Sequence, residues 1–223
     1  MIAATAQLRK RVTLADDVRV GDFVIIGEWP VPNDAEHPET RLGAGAVIRS
    51  HTVIYAGVHA GENLQTGHGA LIREFARLGN DVSIGSHTVL EHRVAVGHGV
   101  RIHSGAFIPE FTVLEDGCWI GPRVVVTNAP YPVSDRMPKY LKGVTVQRGA
   151  KVGANVTLLP GITVGAGALV GAGAVVTRDV PPGMVVVGCP ARVLGPIEDL
   201  RCGEDDLLSP YSKPNIDAVK AGE

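Results

Sequence analysis

The sequence predicts an all-β chain, a parallel β-helix in which six-residue units stack into a triangular prism. Two observations carry that expectation. The first is a beat of six: from Leu42 through Val126, every sixth residue is Leu, Ile or Val at thirteen of fifteen positions, with Ala60 and Thr66 as the exceptions. A helix of period 3.6 cannot hold such a beat, and a stack of hairpins would show a beat of two with Asn-Gly turns. The second is composition: aromatics are only 4% of 223 residues, while Gly contributes 28. Ordinary cores draw more heavily on large rings; thin layers of branched side chains need fewer.

The elements follow in order. The beat opens at Leu8, Leu14, Val20 and Ile26, runs from Leu42 to Val126, and resumes at Val146, Val152, Leu158, Val164, Val170 and Val176. Each unit reads as a short strand plus a corner. Gly often follows the beat residue, as at Gly43, Gly61, Gly67, Gly79, Gly85, Gly97 and Gly121, and is expected to supply a positive φ at the corner. One unit cannot bury its own apolar face, but stacked coils can. Three sides are the fewest that enclose a core, so three units make one coil. Two steps break the register: sixteen residues from Ile26 to Leu42 and twenty from Val126 to Val146. Loops are therefore expected at about 28–41 and 128–143, and long excursions from a rigid scaffold are usually functional. The prism is assigned to residues 1–194. The acidic, Pro-containing segment 195–223 reads as a C-terminal extension, a short helix plus a mobile tail.

Bulk properties narrow the function. A net charge of −2 does not fit a nucleic-acid binder, which is usually basic. No apolar run is long enough to cross a bilayer as a helix, so no membrane span is expected. The N-terminus MIAATAQLRKRV has no apolar h-region, so no signal peptide is evident. Cys118, Cys189 and Cys202 have neither metal nor redox spacing, which fits a cytoplasmic chain.

Stacking one coil on the next places Glu74, His92, Glu110 and Asn128 in one column, beside Arg73, Glu91, Pro109 and Thr127. An imidazole between two carboxylates, under the start of the late loop, suits a general base whose tautomer a carboxylate fixes. His103 stacks between Gly85 and Gly121, which leaves a hollow, and His68 is a further candidate. Both are candidate substrate-binding residues with Asn128. His98, between Asn80 and Asp116, and the column of His51, His87, Gly69 and Gly105 read as solvated corners.

The stretch LPGITVGAGALVGAGAVVTRDVPPGMVVVGCPARV (Leu159–Val193) resembles the end of the left-handed β-helix, or hexapeptide-repeat, acyltransferases. The resemblance implies a left-handed coil, acetyl-CoA as cosubstrate and a homotrimer with the cofactor groove between subunits. It places the CoA chain over Ala154 and Ala172, and its nucleotide end near Thr177, Arg178 and Arg192. LEHRVAVG resembles the E-H-x-x-x-[IV]-G stretch of the sugar acetyltransferases of the sialic-acid and bacillosamine type. That implies an acceptor-deprotonating His92 beside Glu91, with Gly97 closing the motif. The family's second His is here Arg101, with His103 two places on. The late loop TNAPYP lacks the catalytic His of the galactoside and maltose enzymes, and TN followed by YP is similar to the nucleotide-amino-sugar N-acetyltransferases. The expected activity is N-acetylation of such a sugar, by direct transfer with His92 as base and Glu91, Glu74 and Glu110 around it.

Three alternatives stand beside this. One is O-acetylation of a sugar on the same fold. VGHGVRIHSG also resembles the paired metal ligands of γ-class carbonic anhydrases, but Thr66 stands where that family has Asp and Leu71 where it has its third His. The preferred reading has no metal. The third is a non-catalytic scaffold, which would need neither the acid–His–acid column nor the CoA-type ending.

Overall fold

The computed structural model describes residues 1–30, 37–133, 135, 139–201 and 210–211. Among these, strands assemble into three sheets of nine, eight and ten strands, parallel throughout except for one pair at the C-terminal end. Consecutive strands never neighbour one another, that final pair aside. Leu71–Ile72, Arg77–Leu78 and Ser83–Ile84 enter the first, second and third sheets in turn, and the next coil repeats the order. Leu71 pairs with Val53 below and Val89 above. The chain therefore winds as a three-sided prism, with three six-residue units to each turn.

The beat is the core. All fifteen beat positions from Leu42 to Val126 are buried, Ala60 most exposed at 9%. Burying such a side chain contributes about 1.5–3 kcal/mol, and each coil adds another layer. Thr66, an exception to the aliphatic rule, is satisfied inside: its Oγ1 lies 3.1 Å from Thr52 Oγ1 and accepts the Arg49 N–H at 3.0 Å. Cys118 is also core. Its Sγ donates to Val146 O and Gln147 O, each at 3.2 Å, and burial pushes its thiol up to about 12. It is a packing residue, while Cys189 is exposed. Cys202 lies outside the described residues.

The role assigned to the corner glycines needs correction. Gly43, Gly61, Gly67, Gly79, Gly85, Gly97 and Gly121 do not have positive φ. The left-handed residue comes two places later, as Gly45, Gly69 and Gly99 but also as Asn63, Asp81, His87 and Arg123. The glycines after the beat are small for another reason: the next coil lies directly against them. A Cβ at Gly121 would stand 2.8 Å from Ala154 N and Val152 O. Gly121→Ala should cost about 1–3 kcal/mol, as overpacking does, read as a lowered Tm; an unchanged Tm would contradict this close approach.

The insertions interrupt sequence but not sheets. Ile26 pairs with Ile54 across the first and Leu114 with Val146 across the second. The first is shorter than expected, since Ile25–Glu28 and Thr40–Leu42 are strands; much of it, 31–36, lies outside the described residues. The second has a closed neck, with the Lys142 N–H bonded to Asn128 O at 2.9 Å. At the C-terminal end Arg192–Pro196 turns back antiparallel against Met184–Val187, capping the third sheet. The expected short helix is only a 3-10 turn at Ile197–Asp199. The proposed mobile tail falls almost wholly outside the described residues; Tyr211, which is described, packs its ring 4.8 Å from Lys151 Nζ on the third sheet. No helix among the described residues is long and apolar enough to cross a membrane.

Candidate active site

The prism's edges organise the polar residues. On the edge joining the first sheet to the second, His92 stands between Val89–Leu90 and Ala95–Val96. His92 Nε2 lies 2.7 Å from Glu110 Oε1. Its Nδ1 is buried without a hydrogen-bond partner, 3.8 Å from Glu91 Oε2. Glu110, one coil above, is held in turn: Arg93 Nη1 reaches its Oε1 at 3.2 Å, and Asn128 Nδ2 donates to its backbone carbonyl at 3.3 Å. Donation from Nε2–H to Glu110 would leave Nδ1 with the free lone pair, the state a base requires.

One part of the expected arrangement is corrected. Glu74 does not flank the imidazole as a second hydrogen-bonding carboxylate. Arg73 takes both its oxygens, at 2.8 and 3.0 Å. Burial alone would raise the Glu74 carboxyl, but the Arg73 bonds and the charges of Arg73 and His92 hold it below the usual carboxylate value. Arg73 also reaches Glu91 at 3.4 Å and lies over the Tyr55 ring. A guanidinium can bond two carboxylates where coil stacking alone shows only vertical neighbours. Arg73 and Arg93, which fasten this cluster, were not singled out by sequence, although Arg73 stands in the adjacent column.

His68 and His103 lie elsewhere, on the edge joining the third sheet to the first. Both line a cavity of about 280 Å³ there. His103 packs its ring 4.6 Å from the Trp119 ring, and burial, then the Arg101 charge, lowers its pKa from the usual imidazole value. Ala154 and Ala172 occupy corners of this same edge, whereas Thr177 and Arg178 follow Val175–Val176 on the His92 edge. Arg192 is exposed on the antiparallel strand. Arg192 aside, the expected site residues thus divide between two edges of the first sheet, a six-residue side apart, roughly 20 Å at 3.3 Å per residue.

His98 is a corner residue. Its Nδ1 accepts the Asn80 N–H at 3.0 Å, and its own N–H donates to Asp116 at 2.8 Å. Strand Arg101–Ile102 separates it from His103. No group of three His, Cys, Asp or Glu among the described residues is placed to hold a metal ion.

Comparison with known proteins agrees with this architecture. The bacterial transferase hexapeptide family (six repeats) matches residues 143–178. Residues 143–178 carry the repeat of that family. Over 80 residues it is 49% identical to the 2,3,4,5-tetrahydropyridine-2,6-dicarboxylate N-acetyltransferase of Halalkalibacterium halodurans, spanning 36% of this chain and 33% of that protein. Over 83 residues it is 37% identical to the galactoside O-acetyltransferase of Lactococcus lactis, spanning 35% of this chain and 40% of that one. The matches thus span a third to two-fifths of these relatives' length. The solved structure of the polySia-specific acetyltransferase NeuO superposes over 91% of both chains with a TM-score of 0.53 at 17% identity. That likeness shows the fold of this hexapeptide-repeat chain: a left-handed parallel β-helix.

Proposed function

We propose that this hexapeptide-repeat protein is an acetyl-CoA-dependent acetyltransferase acting on a small acceptor, a nucleotide-linked amino sugar. The observation that carries the reading is the His92–Glu110 bond at 2.7 Å beside an unpartnered Nδ1. Glu110 orients the ring, and Nδ1, reached by the acceptor once the Glu91 carboxylate 3.8 Å away swings aside, takes the proton of the acceptor amine. The amine nitrogen then forms its bond to the thioester carbonyl carbon, the carbon–sulfur bond breaks, and the proton leaves with the thiol. No acyl-enzyme is required: Cys118 is buried, with its thiol far from ionisation, and direct transfer needs only a base and an aligned acceptor. The N-acetyl preference rests on the E-H-x-x-x-[IV]-G and TN…YP resemblances. Free thiols and a CoA substrate fit a cytoplasmic setting.

Ala154 and Ala172 on one edge and Thr177 and Arg178 on the other cannot line one groove within a single chain. Two subunits packed edge to edge would supply both. The outward residues of the first sheet support such packing, since Ile25, Val53, Leu71, Val89, Phe107, Val125 and Val175 form an apolar face, with Phe107 and Val125 about two-fifths exposed. Because the two edges differ, a twofold axis would pair like with like, whereas a closed ring pairs one edge with the other. A homotrimer is therefore the proposed assembly, and light scattering at micromolar concentration should give three times the chain mass. A monomer or dimer would remove the shared groove. Thiol release from acetyl-CoA across a panel of nucleotide amino sugars tests the reaction, and no release with any of them would count against it.

A further inference from the structure

The cavity on the edge between the third and first sheets differs in character from the His92 edge. It is lined by Arg49, Arg101, His68, His103, Ser86 and Ser104, and no carboxylate among the described residues borders it. Its shape follows from one column. Arg49, Gly67, Gly85, His103, Gly121, Gly153 and Gly171 stack one above another, so Arg49 below and His103 above bracket a gap floored by two glycines. A side chain at Gly67 or Gly85 would run into the backbone at Ser86 or Ser104, so the floor stays bare. The walls are donors. Arg49 donates one N–H to Thr66 O at 2.7 Å. Arg101 makes no ion pair with any described residue and is exposed beside His103. The Ser86 hydroxyl accepts the His68 N–H at 3.0 Å, while His68 Nδ1 meets Ser50 Oγ at 2.8 Å.

Two guanidiniums, serine hydroxyls and a bare glycine floor, with no negative wall, make a receptor for an anion with several acceptor oxygens. The volume is at the low end for ligand pockets, so it takes a headgroup rather than a whole nucleotide. We infer that this cavity binds a phosphoryl group of the acceptor, a mono- or diphosphate ester, and presents the acceptor to the His92 of the neighbouring subunit. The inference rests on the proposed acetyl transfer and trimer. Height supports it: Ser86 and His92 belong to the same coil, and Ser104 lies one coil above. Rotation about an axis parallel to the prism keeps levels equal, so a neighbour's His92 arrives opposite this cavity. Ala154 and Ala172 continue the corner column of Ser86 and Ser104, above the cavity, leaving that part of the edge to the cosubstrate.

The test is titration calorimetry of inorganic phosphate and pyrophosphate, without acetyl-CoA, on the wild type and on Arg49→Gln, Arg101→Gln and Arg123→Gln. Arg123 is exposed on the same edge outside the cavity, so its replacement removes equal charge without touching the walls. Pyrophosphate should bind the wild type, bind Arg101→Gln and Arg49→Gln roughly 10- to 100-fold more weakly, and bind Arg123→Gln as the wild type. No binding to the wild type, or an equal loss in Arg123→Gln, overturns the subsite. CoA titrated onto Arg101→Gln separates the sources of phosphate: unchanged affinity keeps the cavity for the acceptor, and a matching fall assigns it to the cosubstrate and overturns the inference. Since pyrophosphate binding is read without turnover, a chain that binds it but transfers no acetyl group would sink the proposed reaction while leaving the anion site in place.

Discussion

His92→Ala should lower turnover by roughly 100- to 10,000-fold, the range for loss of a positioned general base. The geometry explains why the loss falls on turnover. His92 is fastened at one nitrogen to Glu110 and carries no hydrogen bond at the other, so removing it takes away a proton acceptor without leaving the acceptor's contacts elsewhere unmade. The fold should survive, because the side chain sits on an edge, about a third exposed, and the neighbouring core residues Leu90 and Val94 keep their layers. Circular dichroism and the melting temperature should therefore match the wild type. Glu110→Gln should give a smaller fall in kcat with little change in the KM for acetyl-CoA, since Glu110 acts through the ring. Near-wild-type turnover of His92→Ala at saturating acceptor would falsify the assignment, and the base would have to be sought elsewhere.

The prism was readable in sequence because its signal repeats. One six-residue beat fixes strand, corner, register and core, and fifteen copies of it leave little room for another period. The corner glycines were located correctly but explained wrongly: close stacking and positive φ both favour Gly, and only the folded chain shows that Gly121 meets the next coil while Arg123 carries the left-handed φ. The site was partly readable for a similar reason. Contacts that run straight up an edge, such as His92 to Glu110, follow from stepping three units along the chain. Contacts made sideways do not, and so Arg73 was missed as the partner that takes Glu74, although its contact to Glu91 also runs straight up a column. The antiparallel return at Arg192–Pro196 was not anticipated, because it occurs once and has no period. Nor does spacing reveal that His92 and His103, eleven residues apart, occupy different edges until the coil is traced through its three sheets.

Arg192→Ala should weaken CoA binding by about 10- to 150-fold, since a charge-assisted contact to phosphate contributes about 1.5–3 kcal/mol. Arg192 is exposed on the strand that folds back over the end of the third sheet, and among described residues its guanidinium bonds only the neighbouring Ala191 carbonyl, at 2.9 Å. It is therefore available to an anion arriving at this end of the prism, where the resemblance places the adenosine phosphates. The acceptor's own affinity should change little. The cavity assigned to its phosphate lies several coils below, at Ser86 and Ser104, and coils are spaced about 4.8 Å apart. Calorimetry of CoA and 3′-dephospho-CoA on both proteins locates the contact. If Arg192 touches the 3′-phosphate, the dephospho form should bind both proteins alike. If it touches the diphosphate, both ligands should weaken together. Equal CoA affinity in the wild type and Arg192→Ala would leave this arginine a surface charge, and the carry-over of the nucleotide end to Thr177, Arg178 and Arg192 would fail with it.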